Sequence, residues 1–303
     1  MKVPAKKENN VEKIIIYFLK SLKKLKLGTY FNFVFSKKLN RTQVKIPVSG
    51  EIGLSNMELK KEWLDLLIEK FAFPQSTKTF VDVGVNVGQT LLRLKTIYPE
   101  ADYLGFEPNS TCTAYVQKLI KANKFKNATV QNVGLATEIG ILQLEKETDT
   151  DSRASVVSNL RPNLFSAKES VLVIDYQSFY LEKAVNFIKV DVEGAEYEVL
   201  KGMEKAIKKH QPIITCEVLD THSAAVFDFM QERATQLCEM LKSWNYTIVR
   251  LQTESSEIIN YEKIQTIHLI QWSEQSLALN DYLFYPTTME KEVVEKLKTI
   301  VKN

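Results

Sequence analysis

Residues 80–90 read FVDVGVNVGQT, a glycine-bearing turn between a run typical of a buried strand and a run typical of a helix. The apolar residues 79–83 predict the strand, and the pattern of residues 88–97 predicts the helix. Gly84 and Gly88 permit a sharp turn and let a ligand lie close to the backbone. Strand-like and helix-like runs continue to alternate after this turn, so the sequence predicts a doubly wound, mostly parallel α/β sheet with helices on both faces.

The same patterns predict the other elements of the sheet and its covering helices. The predicted strands are residues 102–106, 128–133, 139–144, 171–174, 186–190, 212–218, 246–251, 265–269 and 282–285. The predicted helices are residues 110–123, 195–209 and 224–244. Open α/β sheets bind their ligands at the carboxyl ends of the strands, so we expect the site there.

The beginning of the chain differs from the remainder in charge. Residues 1–50 hold 12 Lys and Arg residues against Glu8 and Glu12, whereas the other residues hold 28 basic and 35 acidic groups. Apolar residues recur at three- and four-residue steps over residues 11–27, with lysines between them, which predicts a basic amphipathic helix. Such a helix can pack on the domain as a cap, or contact an anionic membrane or a partner protein.

A second helix is predicted over residues 56–71, before the alternating pattern begins. The chain therefore divides into a basic N-terminal helical extension, residues 1–73, and an α/β domain, residues 74–303. No apolar run approaches the roughly 20 residues that a membrane-spanning helix needs. The three cysteines have no metal-binding or C-x-x-C spacing, which favours reduced thiols and a cytoplasmic location: Cys112, Cys216 and Cys238.

The glycine turn discriminates between three kinds of ligand. A phosphate-binding P-loop needs four residues between its glycines and then a lysine, but here three residues intervene and Gln89 follows. A dinucleotide site needs a middle glycine, and Asn86 stands at that position. Asp82 would also repel a pyrophosphate, but it suits the ammonium of S-adenosylmethionine, which carries no phosphate. The sequence therefore favours S-adenosylmethionine over NAD. A tight turn that binds no ligand stays open as a further alternative.

Glu107 ends the second predicted strand and is the second candidate for ligand binding. A carboxylate has two oxygens and can accept both hydroxyls of a ribose. NAD sites use an acidic residue in the same way, so Glu107 does not by itself separate the two cofactors.

Three stretches resemble the FkbM-type methyltransferases, a branch of the class I S-adenosylmethionine-dependent enzymes. They are FVDVGVNVGQT, GFEPN and FIKVDVEGAEYEVLKGM, and the resemblance covers roughly residues 78–218 and, more weakly, the chain to about 286. It implies a seven-stranded Rossmann-like sheet, S-adenosylmethionine as cofactor, and O-methylation of a hydroxyl. The predicted acceptor is a carbohydrate or glycan, with a lipid or natural product as the alternative. Val85 departs from the small residue that is common at its position in the family.

The resemblance also implies donor-binding roles for particular residues. Those matching the first motif follow the strand, those matching the second lie around Glu107, and a third group sits where family members line the adenine. The residues are Asp82, Gly84, Asn86, Gly88 and Gln89; Glu107, Pro108 and Asn109; and Asn132, Gly134 and Leu135.

The stretch IKVDVEGAE places further carboxylates at the end of a strand. Asp191 and Glu193 can hold the cationic end of the donor or orient an acceptor hydroxyl, which must lose its proton during methyl transfer. Glu217 and His222, after the next strand, are the other candidate bases. Asp191, Glu193 and Glu217 could alternatively hold Mg²⁺, but no spacing demands a metal and none is predicted.

A polar segment, residues 145–169, is expected to form a mobile flap on the acceptor side. Arg153 or Arg161 would then contact a polyhydroxylated or anionic acceptor. Two other classes of function stay open at this point. One is a NAD-dependent nucleotide-sugar oxidoreductase, and the other is a protein whose basic arm recruits it to an anionic membrane, with nucleic acid the weaker partner because few aromatics lie among the lysines.

Overall fold

The computed structural model describes residues 10–24, 28–72, 78–158, 160–161, 164–180 and 182–302. Its strands, in chain order, are β1 (Asn32–Leu39), β2 (Thr42–Ser49), β3 (Thr79–Val83), β4 (Asp102–Phe106), β5 (Ala128–Gln131), β6 (Gly134–Leu135), β7 (Gly140–Lys146), β8 (Ala167–Ile174), β9 (Val185–Val190), β10 (Ile213–Glu217), β11 (Tyr246–Glu254), β12 (Glu257–Ile264) and β13 (Asp281–Pro286).

The α-helices cover both faces of the sheet. They are α1 (Asn10–Lys24), α2 (Leu54–Met57), α3 (Trp63–Leu67), α4 (Gln89–Ile97), α5 (Ser110–Asn123), α6 (Gln177–Tyr180), α7 (Glu196–Gly202), α8 (Glu204–His210), α9 (Phe227–Ser243) and α10 (Glu290–Lys298). Of these helices, α4, α5, α7 and α8 connect parallel strands of the sheet. In the described parts of the chain, no helix combines the length and the apolar character that crossing a bilayer requires.

The central sheet has the order β12-β11-β13-β10-β9-β3-β4-β5. The five strands from β10 to β5 are parallel, and β13 pairs antiparallel with β10 and β11. All five residues of β3 are buried, as expected for a strand covered by helices on both faces. The prediction of a doubly wound, mostly parallel sheet is therefore confirmed.

The predicted number of seven strands is wrong by one, because β12 adds an eighth strand at the edge beside β11. The sequence pattern placed a strand over residues 265–269 instead. Ile267 and Leu269 are buried there, but their amides donate to side chains of α9, to Sγ of Cys238 and Oε1 of Gln231. This segment is apolar because it covers the core, not because it pairs in the sheet.

The predicted N-terminal helical extension contains the helices α1, α2 and α3, but it also contains an antiparallel hairpin of β1 and β2 that was not predicted. Asn40 and Arg41 form its two-residue turn, both with positive φ, as a type I′ turn requires. The inward side chains of β2 are Val44, Ile46 and Val48, and they belong to the same core as the helices flanking β3.

The predicted helix over residues 56–71 is divided into short pieces. The side chain of Asn56 in α2 is buried and donates to the carbonyl of Val87 and the hydroxyl of Tyr115, which ties α2 to the turn after β3. A capping box between Glu62 and Asp65 then starts α3 anew. The predicted helix over residues 195–209 is likewise divided, into α7 and α8.

Candidate functional site

A cavity of about 900 Å³ lies at the carboxyl ends of β3, β4 and β9. The turn after β3 forms its floor, and residues 148–154, which belong to the segment between β7 and β8, form one wall. Residues 49–55, which run from the end of β2 into the start of α2, contribute to the rim. The sequence predicted a ligand site at this end of the sheet, but not the contribution of the N-terminal hairpin.

The glycine turn packs directly against the backbone that follows β9. Gly84 has a φ of +83°, and a Cβ atom at this position would lie 1.8 Å from the carbonyl oxygen of Asp191. Asn86 also has a positive φ, and its side-chain oxygen accepts the amide of Val87. Gly84, Asn86 and Gln89 line the cavity, whereas Gly88 starts α4 and faces α5.

Glu107, at the end of β4, is bonded to that turn. Its Oε2 accepts the amide of Asn86 at 2.7 Å, and its Oε1 accepts the amide of Asn109 at 2.8 Å. Burial raises the pKa of Glu107 to about 7, against the opposing effect of these two amides. The carboxylate thus lines the cavity in a fixed orientation, and each oxygen retains a lone pair for a ligand hydroxyl.

The other residues predicted around the nucleoside fall into two groups. Pro108, Gly134 and Leu135 line the cavity. Asn109 and Asn132 do not line the cavity. They hold the backbone of segments that do line it. Asn109 caps α5 and donates to the carbonyl of Asp149, while Asn132 donates to the carbonyls of Glu107 and Pro108.

A lysine that the sequence analysis missed connects the ends of β3 and β9. Lys189 Nζ lies 3.0 Å from Oδ2 of Asp191 and 3.7 Å from Oδ1 of Asp82, and it donates to the carbonyl of Gly84 at 3.1 Å. Asp82 was predicted to contact the ligand, but it does not line the cavity. It is buried below the cavity and accepts a hydrogen bond from the hydroxyl of Tyr103. Burial raises the pKa of Asp82 to about 6, partly offset by Lys189.

The three carboxylates predicted around β9 and β10 do not all line the cavity. Asp191 and Glu193 line the cavity. Glu193 pairs with Arg161 at 2.6 Å, yet burial and the charge of Asp191 raise its pKa to about 7. Its φ of +56° is left-handed, a strained conformation often found at functional sites.

Glu217 and His222, two of the four predicted catalytic residues, do not line the cavity. Glu217 is paired in register with Asp281 of β13, and burial raises its pKa well above the usual range, with the charge of Asp191 adding to the effect. The ring of His222 stacks on Trp272 at 4.6 Å, and burial lowers its pKa. The lining of the cavity does not support their roles as bases, which stay predictions.

The wall formed by residues 148–154 is held to the site by hydrogen bonds. Asn86 donates to the carbonyl of Asp151 at 3.4 Å, and Ser155 Oγ donates to the carbonyl of Glu193 at 2.7 Å. Arg153 lines the cavity but is paired with Asp151 and Glu147, while Arg161 is paired with Glu193. Both arginines predicted to contact an acceptor are thus engaged with carboxylates of the protein. The mobility of this segment stays a prediction.

The described residues contain no group of three or more His, Cys, Asp and Glu side chains arranged to hold a metal ion. Lys189 already occupies the space between Asp82 and Asp191, and its ammonium supplies the positive charge there. The three cysteines are free thiols, and all of them are buried.

The fold and the cavity define the class of protein. It is a doubly wound α/β domain with a glycine turn, a carboxylate at the end of each of two neighbouring strands, and a ligand cavity above them. Within that class, a family model described as the methyltransferase FkbM domain matches residues 82–248, more than half of the chain. The chain belongs to the FkbM methyltransferase family, which confirms the resemblance seen in the sequence.

Two curated relatives are fungal methyltransferases. Methyltransferase 1 of Beauveria bassiana is 27% identical over 164 residues, which cover 48% of this chain and 66% of that protein. Methyltransferase sdnD of Sordaria araneosa is 25% identical over 176 residues, which cover 48% of this chain and 67% of that protein. The chain thus spans just under two thirds of the first relative's length.

Among solved structures, the methyltransferase FkbM from Methylobacillus flagellatus KT is similar to this chain. The two share 16% identity with a TM-score of 0.43, and the similarity covers 70% of this chain and 45% of that one.

Proposed function

We propose that this protein is an S-adenosylmethionine-dependent methyltransferase that acts on a hydroxyl group. The observation that supports the proposal best is the pairing of Glu107 with the glycine turn at the cavity floor. The turn offers backbone without a phosphate-binding lysine, and the carboxylate offers two oxygens to a ribose. Membership in the FkbM family agrees with this assignment.

The residues around the cavity suit the three parts of the methyl donor. Glu107 would hold the ribose, and Pro108, Gly134 and Leu135 would line the adenine. Asp191, with its side chain partly exposed to the cavity, would face the cationic amino-acid end. When bound, S-adenosylmethionine supplies an electrophilic methyl group, so the protein mainly has to position donor and acceptor.

Glu193 is the best-placed general base in the cavity. A base works best when its pKa lies near the operating pH, and burial brings the pKa of Glu193 to about 7. Its partner Arg161 orients the carboxylate, and the hydrogen bond from Ser155 fixes its backbone carbonyl. Glu193 would accept the proton of the acceptor hydroxyl, and Asp191 would orient that hydroxyl.

Donor binding is tested by calorimetric titration with S-adenosylhomocysteine. We expect the wild type to bind it. Glu107→Gln should bind it at least about tenfold more weakly, a loss of about 1.4 kcal/mol in the free energy of binding. The substitution keeps the side-chain volume but exchanges one acceptor oxygen for a donor, next to the amides of Asn86 and Asn109.

Glu182→Gln is the matched control, because this glutamate is 90% exposed and pairs with Lys209 on the outer surface. Thermal melting of both variants separates loss of the fold from loss of the site. The absence of binding by a folded wild type, or saturable binding of NADH in its place, would contradict the proposal.

The proposed acceptor is a carbohydrate or another polyhydroxylated molecule. The cavity supports this choice, because the wall residues Thr148, Thr150 and Ser152 add hydroxyls to the carboxylates of β4 and β9. Incubation with donor labelled in the methyl group, against panels of glycans, lipids and aromatic hydroxyl compounds, is expected to label the glycan panel. Glu193→Gln should abolish most of that labelling while leaving binding of S-adenosylhomocysteine within about threefold of the wild type. Labelling confined to the lipids or aromatic compounds would identify a different acceptor class.

A further inference from the structure

One face of α1 exposes large apolar side chains to solvent. Ile14, Tyr17 and Phe18 are 65%, 75% and 60% exposed. The other face of the helix is covered, since Leu19 is buried and Leu22 packs against the core. The helix therefore has two apolar sides, and the described part of the protein covers only one of them.

The part of the sequence that carries this exposed face is strongly basic. Residues 10–24 contain four lysines and a single acidic residue, Glu12, while residues 28–50 contain four basic residues and no acidic one. An exposed apolar helix face in a lysine-rich segment matches the boundary of an anionic bilayer, where apolar side chains enter the acyl region and lysines meet the phosphates. A second copy of this chain would bring like charges together, and a nucleic acid would leave Ile14 without an apolar partner.

The helix that carries this face is connected to the rim of the cavity through its neighbours. The helix contacts the turn Gly28–Tyr30, in which Tyr30 is 81% exposed. The carbonyl of the next residue, Phe31, accepts the amide of Gly50, which lines the cavity. Lys20 Nζ donates to Glu58 at 2.9 Å and fixes the helix beside α2.

We propose that α1 docks the protein on an anionic lipid surface through Ile14, Tyr17 and Phe18. The lysines of residues 1–50 supply the attraction to the lipid phosphates, and the aromatic side chains enter the interface. The inference does not depend on the proposed methyl transfer, because it concerns a surface that the cavity does not use.

Sedimentation of the full chain with vesicles tests the proposal. Binding is expected to vesicles of phosphatidylcholine with phosphatidylglycerol, and to be at least about tenfold weaker with phosphatidylcholine alone. The double variant Tyr17→Ser, Phe18→Ser is expected to lose at least about tenfold in partition to the anionic vesicles, because it removes the two aromatic side chains that enter the interface. Binding should also weaken as salt is raised, since charge provides part of the attraction.

Phe179→Ser is the matched control, since this phenylalanine is 57% exposed, close to the exposure of Phe18, but lies on α6 far along the chain. It should bind vesicles like the wild type. Equal binding by the double variant and the control would overturn the proposal. So would a change from dimer to monomer in the double variant by light scattering, which would identify a second copy as the partner of this face.

Discussion

Replacing Lys189 with methionine is expected to lower the free energy of unfolding by about 3–5 kcal/mol, the range found when one partner of a buried ion pair is removed. The lysine provides the positive charge beside two carboxylates and a hydrogen-bond donor to a backbone carbonyl. Its ammonium is 3.0 Å from Asp191 and 3.7 Å from Asp82, and it donates to the carbonyl of Gly84. Methionine fills a similar volume but removes the cation that opposes the charge of Asp82, so keeping Asp82 ionised in the native state costs more.

The effect of this variant should depend on pH in a defined direction. Burial already raises the pKa of Asp82 to about 6, above its unfolded value near 3.8, and removing Lys189 raises it further. A carboxylate with a raised folded pKa is protonated more readily in the native state than in the unfolded state. The free energy of unfolding therefore falls as the pH rises from the unfolded pKa through the folded pKa. Lys189→Met should therefore lose less stability at pH 5 than at pH 8.

Urea denaturation at both pH values measures this effect, with Lys263→Met as the control. Lys263 also lies on a strand and pairs with a carboxylate, Glu290, at 2.7 Å, but both side chains are substantially exposed. Its removal should change the free energy of unfolding by less than about 1 kcal/mol. A loss in Lys189→Met no larger than in this control would show that the buried network contributes little.

Lys189 also illustrates what the sequence could not reveal. In FIKVDVEG, a lysine between apolar residues is typical of a strand position that faces solvent. Its partner Asp82 is 107 positions earlier in the chain, and only the parallel pairing of β3 with β9 brings the two side chains together. Long-range pairing of this kind leaves no local pattern.

The parts of the fold that were predicted well are those fixed by local patterns. β3, β4 and α5 have the predicted bounds, because apolar runs and a capping asparagine, Asn109, mark their ends. The hairpin was missed because its turn is Asn40-Arg41, which lacks the glycine that usually indicates a type I′ turn.

The candidate site was predicted in outline but not in every side chain. Glu107, Asp191 and Glu193 were expected at one cavity and line it together. Glu217 was expected there too, because β10 is parallel to β9. The antiparallel strand β13 instead sets Asp281 beside Glu217 in register, and both residues are half-buried with raised pKa values, that of Asp281 at about 7. The insertion of β13 between β10 and β11 could not be inferred from the spacing of the strands.

Replacing Gly84 with alanine is expected to be the most damaging single-methyl change in the glycine turn. The new Cβ atom would lie 1.8 Å from the carbonyl oxygen of Asp191, and the φ of +83° is itself unfavourable for alanine. The conformational cost is about 1–2 kcal/mol, and displacing the backbone of β9 adds about 1–3 kcal/mol. We expect a total loss of about 2–5 kcal/mol in the free energy of unfolding, together with at least about tenfold weaker binding of S-adenosylhomocysteine, because Asp191 must move.

Alanine substitutions at two other glycines distinguish the cost of the positive φ from the cost of the close contact. Gly50 has a φ of +61°, and a methyl group there would meet no atom within 4 Å, so Gly50→Ala should show the conformational cost alone. Gly140 has an ordinary φ and its nearest neighbour is 3.9 Å away, so Gly140→Ala should be close to neutral. Urea denaturation of the three variants is expected to rank them with Gly84→Ala as the least stable. If Gly84→Ala and Gly50→Ala were equally stable, the close contact between the turn and Asp191 would not be what makes glycine necessary there.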